Sequence, residues 1–191
     1  MTSKPSLRER VRALLAALEP RTLRSGFSSE AAVLIPIFER AGEPYFLLTR
    51  RTEEVPTHKG QIAFPGGRRH EGEELETTAL RETFEEVGIP AGSVEVLGRY
   101  HDYLSSTGYR VVPFAGYIEG PFRAVPQAGE VAEVLEVPFA AFLDPALVRV
   151  EKKLGRDGWV DVHYVRFRGS EIWGLTARII IDFLAQLEAS R

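Results

Sequence analysis

The stretch at residues 66–89, GGRRHEGEELETTALRETFEEVGI, constrains this chain more than any other. Two glycines open it, a proline-free run rich in Glu, Leu, Ala and Arg fills it, and Gly88 with Pro90 beyond closes it. That composition predicts a helix over 74–87, because these residues favour helix and a glycine followed by proline stops one. At about 100° per residue, Leu80, Phe84 and Val87 share one face, and Glu82, Glu85 and Glu86 share the opposite one. Carboxylates that close repel one another and raise each other's pKa unless a cation neutralises them. Hard divalent cations such as Mg²⁺ prefer oxygen ligands and work with phosphate substrates. Gly66 and Gly67, having no Cβ, let backbone carbonyls come close to such an ion. A bare acidic face is more often simply solvated. The glycines, the glutamate at Glu73 and the Arg81–Glu82 pair tip the reading toward a metal site.

These residues resemble the Nudix box. Its pattern is a glycine, a glutamate six residues on, and eight further on Arg-Glu-U-x-Glu-Glu-x-Gly-U, where U is large and apolar. Gly67, Glu73, Arg81, Glu82, Glu85, Glu86, Gly88 and Ile89 meet it, and Thr83 stands at the first U. The resemblance implies a mixed β-sheet sandwiched between helices (an α/β, or α+β, fold), with the box forming a loop, a helix and a loop. It also implies that a loop carboxylate outside the box, Glu130 or Glu133, serves as a further ligand or as the base. Arg81 and Glu73 read as an ion pair that braces the glycine loop against the helix.

The rest of the chain fits one such domain. Residues 6–19 read as an amphipathic helix with Leu7, Val11, Leu14, Leu15 and Leu18 on one side, giving an N-terminal helical arm over 1–30 and a main domain over 31–191. Strands are expected at 31–38, 45–51, 94–104 and 109–119. Pro36 suggests that the first of these is an edge strand or carries a bulge. Residues 138–143 read as a helical turn, 148–154 and 159–167 as a hairpin around GRDG, and 175–187 as a last helix burying Ile179, Ile180, Phe183, Leu184 and Leu187. A formal net charge of −3 provides no global field to hold nucleic acid or an anionic membrane. No apolar run approaches the roughly 20 residues needed to span a bilayer. The N-terminus lacks a signal-peptide pattern, so a cytoplasmic location is expected. The absence of cysteine excludes disulfides, thiolate metal sites and a cysteine nucleophile.

An anionic substrate needs cations. Arg51, His58, Lys59 and Arg69 are the candidates just before the acidic helix, with Arg51 first because it ends a strand aimed at the glycine loop. Tyr45, Tyr103, Tyr109 and Trp173 are candidates to stack on an adenine, although such aromatics more often sit in the core. A narrower resemblance covers this part of the chain. Residues 47–52 (LLTRRT), Gly60 and residues 64–67 (FPGG), with 130–138 and 172–178 later, resemble the coenzyme A pyrophosphatase branch of Nudix hydrolases. Thr52 stands where that branch has a small residue, and Pro56 where it has an arginine. The resemblance implies hydrolysis of the diphosphate bond of coenzyme A or acyl-CoA with Mg²⁺ or Mn²⁺, in a homodimer. The ligands would be Glu82, Glu85 and Glu86, with the Gly66 carbonyl and Glu130. Glu82, Glu85, Glu86 and Glu133 would carry catalysis. An ADP-ribose or dinucleotide pyrophosphatase and a non-catalytic metabolite sensor are the alternatives.

Overall fold

The computed structural model describes residues 5–54, 59–155 and 158–190. Its elements are α1 (Leu7–Ala17), β1 (Ser29–Arg40), β2 (Glu43–Arg51), β3 (Ile62–Ala63), β4 (Gly66–Arg68), α2 (Leu75–Val87), β5 (Val94–Arg99), β6 (Tyr103–Leu104), β7 (Tyr109–Ile118), β8 (Val131–Pro138), α3 (Ala140–Leu143), β9 (Val148–Gly155), β10 (Gly158–Phe167), β11 (Ser170–Trp173) and α4 (Gly174–Ala189). The first hairpin, β1–β2, follows from local chemistry. Ala41 and Gly42 both take positive φ, 50° and 82°, which a two-residue turn needs to match the twist of its strands.

The main sheet is mixed, in the order β3-β2-β1-β7-β5, with β4 added to β1, β6 to β7 and β8 to β2. β1 and β7 run parallel, while β1–β2 and β5–β7 run antiparallel. A second antiparallel sheet has the order β11-β10-β9. Side chains of a strand alternate between faces, and β1 sorts its residues accordingly. Ala32 and Leu34 pack with Ala79 of α2, and Phe38 with Val87 at the end of the same helix. Ile35 and Ile37 pack instead with α1, α4, Val165 and Ile172. The sheet is therefore covered by α2 on one face, and by α1, α4 and the second sheet on the other.

One expectation is corrected. Pro36 lies at neither an edge nor a bulge: β1 is central, and Pro36 is paired in register with Gly116 of β7. The Leu34 N–H donates to the Pro65 carbonyl at 2.9 Å, so the donor that Pro36 lacks would point to that same side. There β1 changes partner, from β4 at residues 31–33 to β2 at residues 37–40. The missing N–H falls at a seam where no ladder bond is due. The burial of α2 does not follow its apolar face. The helix buries Thr78, Ala79, Thr83, Glu86 and Val87, whereas Phe84 is 55% exposed. The buried stripe is rotated toward small and polar residues, so the helix lies close to the sheet and carries Glu86 inward. Thr83 satisfies its buried hydroxyl by donating to the Ala79 carbonyl at 2.7 Å.

The N-terminal helix is built into this core. Ser6 and Glu9 form a capping box: the Ser6 N–H donates to Glu9 Oε2 at 2.7 Å and the Glu9 N–H to Ser6 Oγ at 3.3 Å. Leu7, Val11 and Leu15 are buried in the cluster that holds α4. Replacing Leu15 with Ala should lower unfolding free energy by about 2 kcal/mol or more, read by urea denaturation. An unchanged midpoint would mean that the helix adds nothing to the domain.

Candidate active site

The site is built where α2 meets the glycine loop. Gly67 explains why glycine stands there: a Cβ at this position would lie 2.4 Å from Glu82 Oε1 and 2.5 Å from Glu82 Oε2. Gly66 is equally confined, since a Cβ there would lie 2.5 Å from the Ala32 carbonyl oxygen. The loop peptide is thus pressed between β1 and the carboxylates of α2. The Gly66 N–H donates to Glu86 Oε2 at 3.3 Å.

Arg81 organises the acids. Its Nε donates to Glu73 Oε1 at 2.8 Å and its Nη2 to Glu73 Oε2 at 3.2 Å. Nη1 donates to Glu82 Oε1 and Glu85 Oε2, each at 2.9 Å. Nη2 also reaches the Arg68 carbonyl at 3.2 Å. The expected Glu73–Arg81 brace is present in this form. Glu73 accepts further from the Thr78 hydroxyl at 2.8 Å and the His70 N–H at 3.1 Å. Arg81 above all, together with these donors, holds its carboxyl down at about 2.

The three box carboxylates differ in burial, with side chains 54% exposed at Glu85, 16% at Glu82 and 5% at Glu86. Burial raises the Glu82 carboxyl against the opposing pull of Arg81. Burial pushes Glu86 up to about 8; Glu82 and Glu130 add to the rise, while Arg51 and the Gly66 N–H oppose it. Arg51 Nη1 stands 3.6 Å from Glu86 Oε1, and its buried Nε has no hydrogen-bond partner. Glu130 is brought near by a loop stitched to the end of α2: the Val125 and Gln127 N–H groups donate to the Val87 and Glu86 carbonyls at 2.8 and 2.9 Å. Its N–H donates to Gln127 Oε1 at 2.9 Å.

Other candidates fall elsewhere. Glu133 is not with the box acids. It pairs with Arg50 at 3.0 Å, and Arg50 also donates to Ser170 of β11 at 2.7 Å. In β2, Phe46 and Leu48 face α4 while Leu47 faces α2, so alternation sends Arg50 and Glu133 to the far side of the sheet and Arg51 to the site. Arg69 is likewise committed, donating at 2.5 Å both to Glu30 Oε2 and to the Glu73 carbonyl, which makes it a loop brace. Lys59 is exposed, and His58 and Pro56 lie outside the described residues. Tyr103 is buried and donates to Asp182 at 2.9 Å. Tyr45 stacks on Phe38, and Trp173 on Tyr164. Glu30 escaped the sequence reading, because an acid at the start of a strand carries no local mark of its partners.

Among the described residues, no three acid or imidazole side chains converge closely enough to enclose an ion. Arg81 Nη1 stands where Glu82 and Glu85 would meet. The donor set nonetheless fits a hard divalent cation: all its ligating atoms are oxygens, the most buried acid is raised, and the loop beside it has no room for a side chain.

The family model for the NUDIX domain matches residues 28–157. The chain is 41% identical over 166 residues to an uncharacterised Nudix hydrolase, NudL, of Yersinia enterocolitica, covering 82% of this chain and 80% of that one. It is 42% identical over 166 residues to the NudL of Yersinia pestis, covering 85% and 82%. Among solved structures, a MutT/nudix family protein from Enterococcus faecalis aligns with a TM-score of 0.54 at 18% identity, covering 98% of this chain and 71% of that one. The Ap4A hydrolase of C. elegans aligns with a TM-score of 0.51 at 20% identity, covering 59% and 82%. Both share the fold. No helix among the described residues is long and apolar enough to cross a membrane.

A raised folded-state pKa at Glu86 means that, between about 4.5 and 8, the native state holds a proton that the unfolded chain has lost. Stability of the metal-free protein should therefore fall as pH rises through that window, by at most about 1.4 kcal/mol per pH unit from this group. Glu73, depressed to about 2, acts below the window. Denaturation of wild type and Glu86→Gln from pH 5 to pH 8 isolates the effect. The variant should lose less stability across the range, and parallel profiles would show that Glu86 is ionised throughout.

Proposed function

The chain belongs to the Nudix family of hydrolases and is a pyrophosphatase, and from that premise we propose that it hydrolyses the diphosphate bond of coenzyme A or acyl-CoA. The products are adenosine 3′,5′-bisphosphate and 4′-phosphopantetheine, or its acylated form. The substrate assignment is supported by the resemblance of residues 47–52, 64–67, 130–138 and 172–178 to the coenzyme A branch. The observation that carries the metal-dependent chemistry is the Glu86 carboxyl, buried and met among the described residues only by the Gly66 N–H at 3.3 Å and Arg51 at 3.6 Å. A buried carboxylate so weakly partnered gains strongly from a nearby cation.

Glu82, Glu85 and Glu86 would hold Mg²⁺ or Mn²⁺, with the Gly66 carbonyl and Glu130 completing the set. When bound, the ion neutralises the diphosphate and acidifies a water molecule. The chain's own groups do the rest. Glu82, raised by burial, accepts the proton of the attacking water. The water oxygen bonds to one phosphorus, the bridging P–O bond breaks, and its electron pair leaves with the second phosphate. Arg51, with an unmet Nε–H, donates to phosphate oxygens and stabilises the charge that develops. Glu133, committed to Arg50, takes no part.

The test offers coenzyme A, ADP-ribose and a dinucleoside polyphosphate in parallel, with Mg²⁺ or Mn²⁺, and separates the products by chromatography. Release of adenosine 3′,5′-bisphosphate should be fastest. Faster cleavage of ADP-ribose or of the dinucleotide would overturn the substrate assignment but keep the chemistry. Glu86→Gln should keep its circular dichroism spectrum and lose turnover by orders of magnitude. A variant within a few-fold of wild type would remove Glu86 from the metal site.

A further inference from the structure

The glycine loop is held from behind by a run of alternating charges that the box pattern does not contain. It begins at Asp102, whose side chain is fully buried. Asp102 Oδ2 accepts from the Leu23 N–H at 2.8 Å and from Arg110 Nε at 2.7 Å, and Oδ1 from Arg99 Nη2 at 2.5 Å. The other arm of Arg110, Nη1, donates to Glu30 Oε1 at 2.5 Å. Glu30 Oε2 takes Arg69 Nη1, also at 2.5 Å, and Arg69 Nε donates to the Glu73 carbonyl. Glu73 then holds Arg81, and Arg81 holds Glu82 and Glu85.

We propose that Glu30 is a positioning residue for the diphosphate hydrolysis: by bridging Arg110 and Arg69 it fixes the loop over 66–73 and, through Glu73 and Arg81, the spacing of the box carboxylates. Three features single it out within the run. Its position is set by backbone, since Glu30 is in register with Arg110 across β1–β7 and its carbonyl accepts from the Arg69 N–H at 3.0 Å. Each of its carboxylate oxygens serves a different arginine, so loss of the charge leaves two guanidinium groups with no anion between them. Its side chain is only 20% exposed, which limits how far water can replace it. The box glycines set how close the loop approaches α2. Glu30 sets where the loop stays along the strand, because it grips Arg69 by both main chain and side chain. This inference rests on the metal site proposed above.

The experiment measures Mn²⁺ affinity by electron paramagnetic resonance, together with kcat and KM for whichever diphosphate wild type cleaves best. Glu30→Gln should weaken Mn²⁺ binding about 10-fold and lower kcat with KM little changed, because both Glu30 carboxylate oxygens are taken by Arg69 and Arg110. Glu30→Asp keeps the charge but cannot span both arginines, and should lie between the two; it also serves if Glu30→Gln fails to fold. Leu15→Ala, which acts far from the loop, controls for a general loss of stability and should leave Mn²⁺ affinity and kcat at wild-type values below its melting range. Glu30 variants that only melt earlier, as Leu15→Ala does, with Mn²⁺ affinity and kcat intact, overturn the positioning role alone. Wild type that binds no Mn²⁺ overturns the metal site and this role together.

Discussion

The Arg81 guanidinium is the one group on which the geometry of the site depends. Five donors in a rigid plane suit it to several oxygens at once. Here it serves three carboxylates and a main-chain carbonyl, drawing together residues 68, 73, 82 and 85. Without it, Glu82 and Glu85 would repel on a helix that already carries Glu86 inward. Lysine could neutralise one of these acids but could not bridge the loop and the helix in two directions. The same contacts put Arg81 in competition with any cation that would bind Glu82 and Glu85. The acids are thus kept close in the folded state, with one guanidinium offsetting part of their charge.

The depth of the carboxylates follows from how close α2 lies to the sheet. That approach depends on residues too small to look important: Ala32 and Ala79 are fully buried between helix and strand, and Gly66 and Gly67 leave no space for a Cβ. A larger residue at Ala32 or Ala79 would lift the helix and return Glu86 toward water. The threonine at the apolar position of the box is compatible with this closeness, because its hydroxyl bonds to its own helix and its methyl fills the contact.

Much of this was legible in the sequence. The helix over 74–87, the loop before it and the last helix follow from local rules, and the Glu73–Arg81 pair lies within a span that one helix end covers. What local rules missed depends on partners distant in the chain. Arg69 looked like a free cation, but its carboxylate partner lies 39 residues earlier. Glu133 looked like a candidate base, but it is matched across 83 residues with Arg50 on the wrong face of the sheet. Pro36 looked like an edge marker because a missing N–H is visible in sequence, whereas a change of neighbouring strand is not. Periodicity groups Leu80, Phe84 and Val87 on one face because it counts apolar residues, and a helix that buries a carboxylate beside Val87 does not bury that face as a unit.

Strand alternation then separates chemistry from support. In β2, the odd-numbered residues Leu47 and Arg51 face α2 and the carboxylates, while Phe46, Leu48 and Arg50 face α4 and the second sheet. Two adjacent arginines of the same type therefore have unrelated tasks. Arg51 stands at a buried carboxyl with a donor unmet, and Arg50 ties two sheets together through Nε on Glu133 and Nη2 on Ser170. The register along β8 obeys the same rule, since Glu133 sits opposite Arg50 and is drawn to its side. Glu130 escapes because it precedes the strand, where the irregular pairing between Arg50 and Arg51 frees the loop to swing toward α2. The acid outside the box that comes near Glu82 and Glu86 is thereby set by where the strand begins, not by how acidic the segment is.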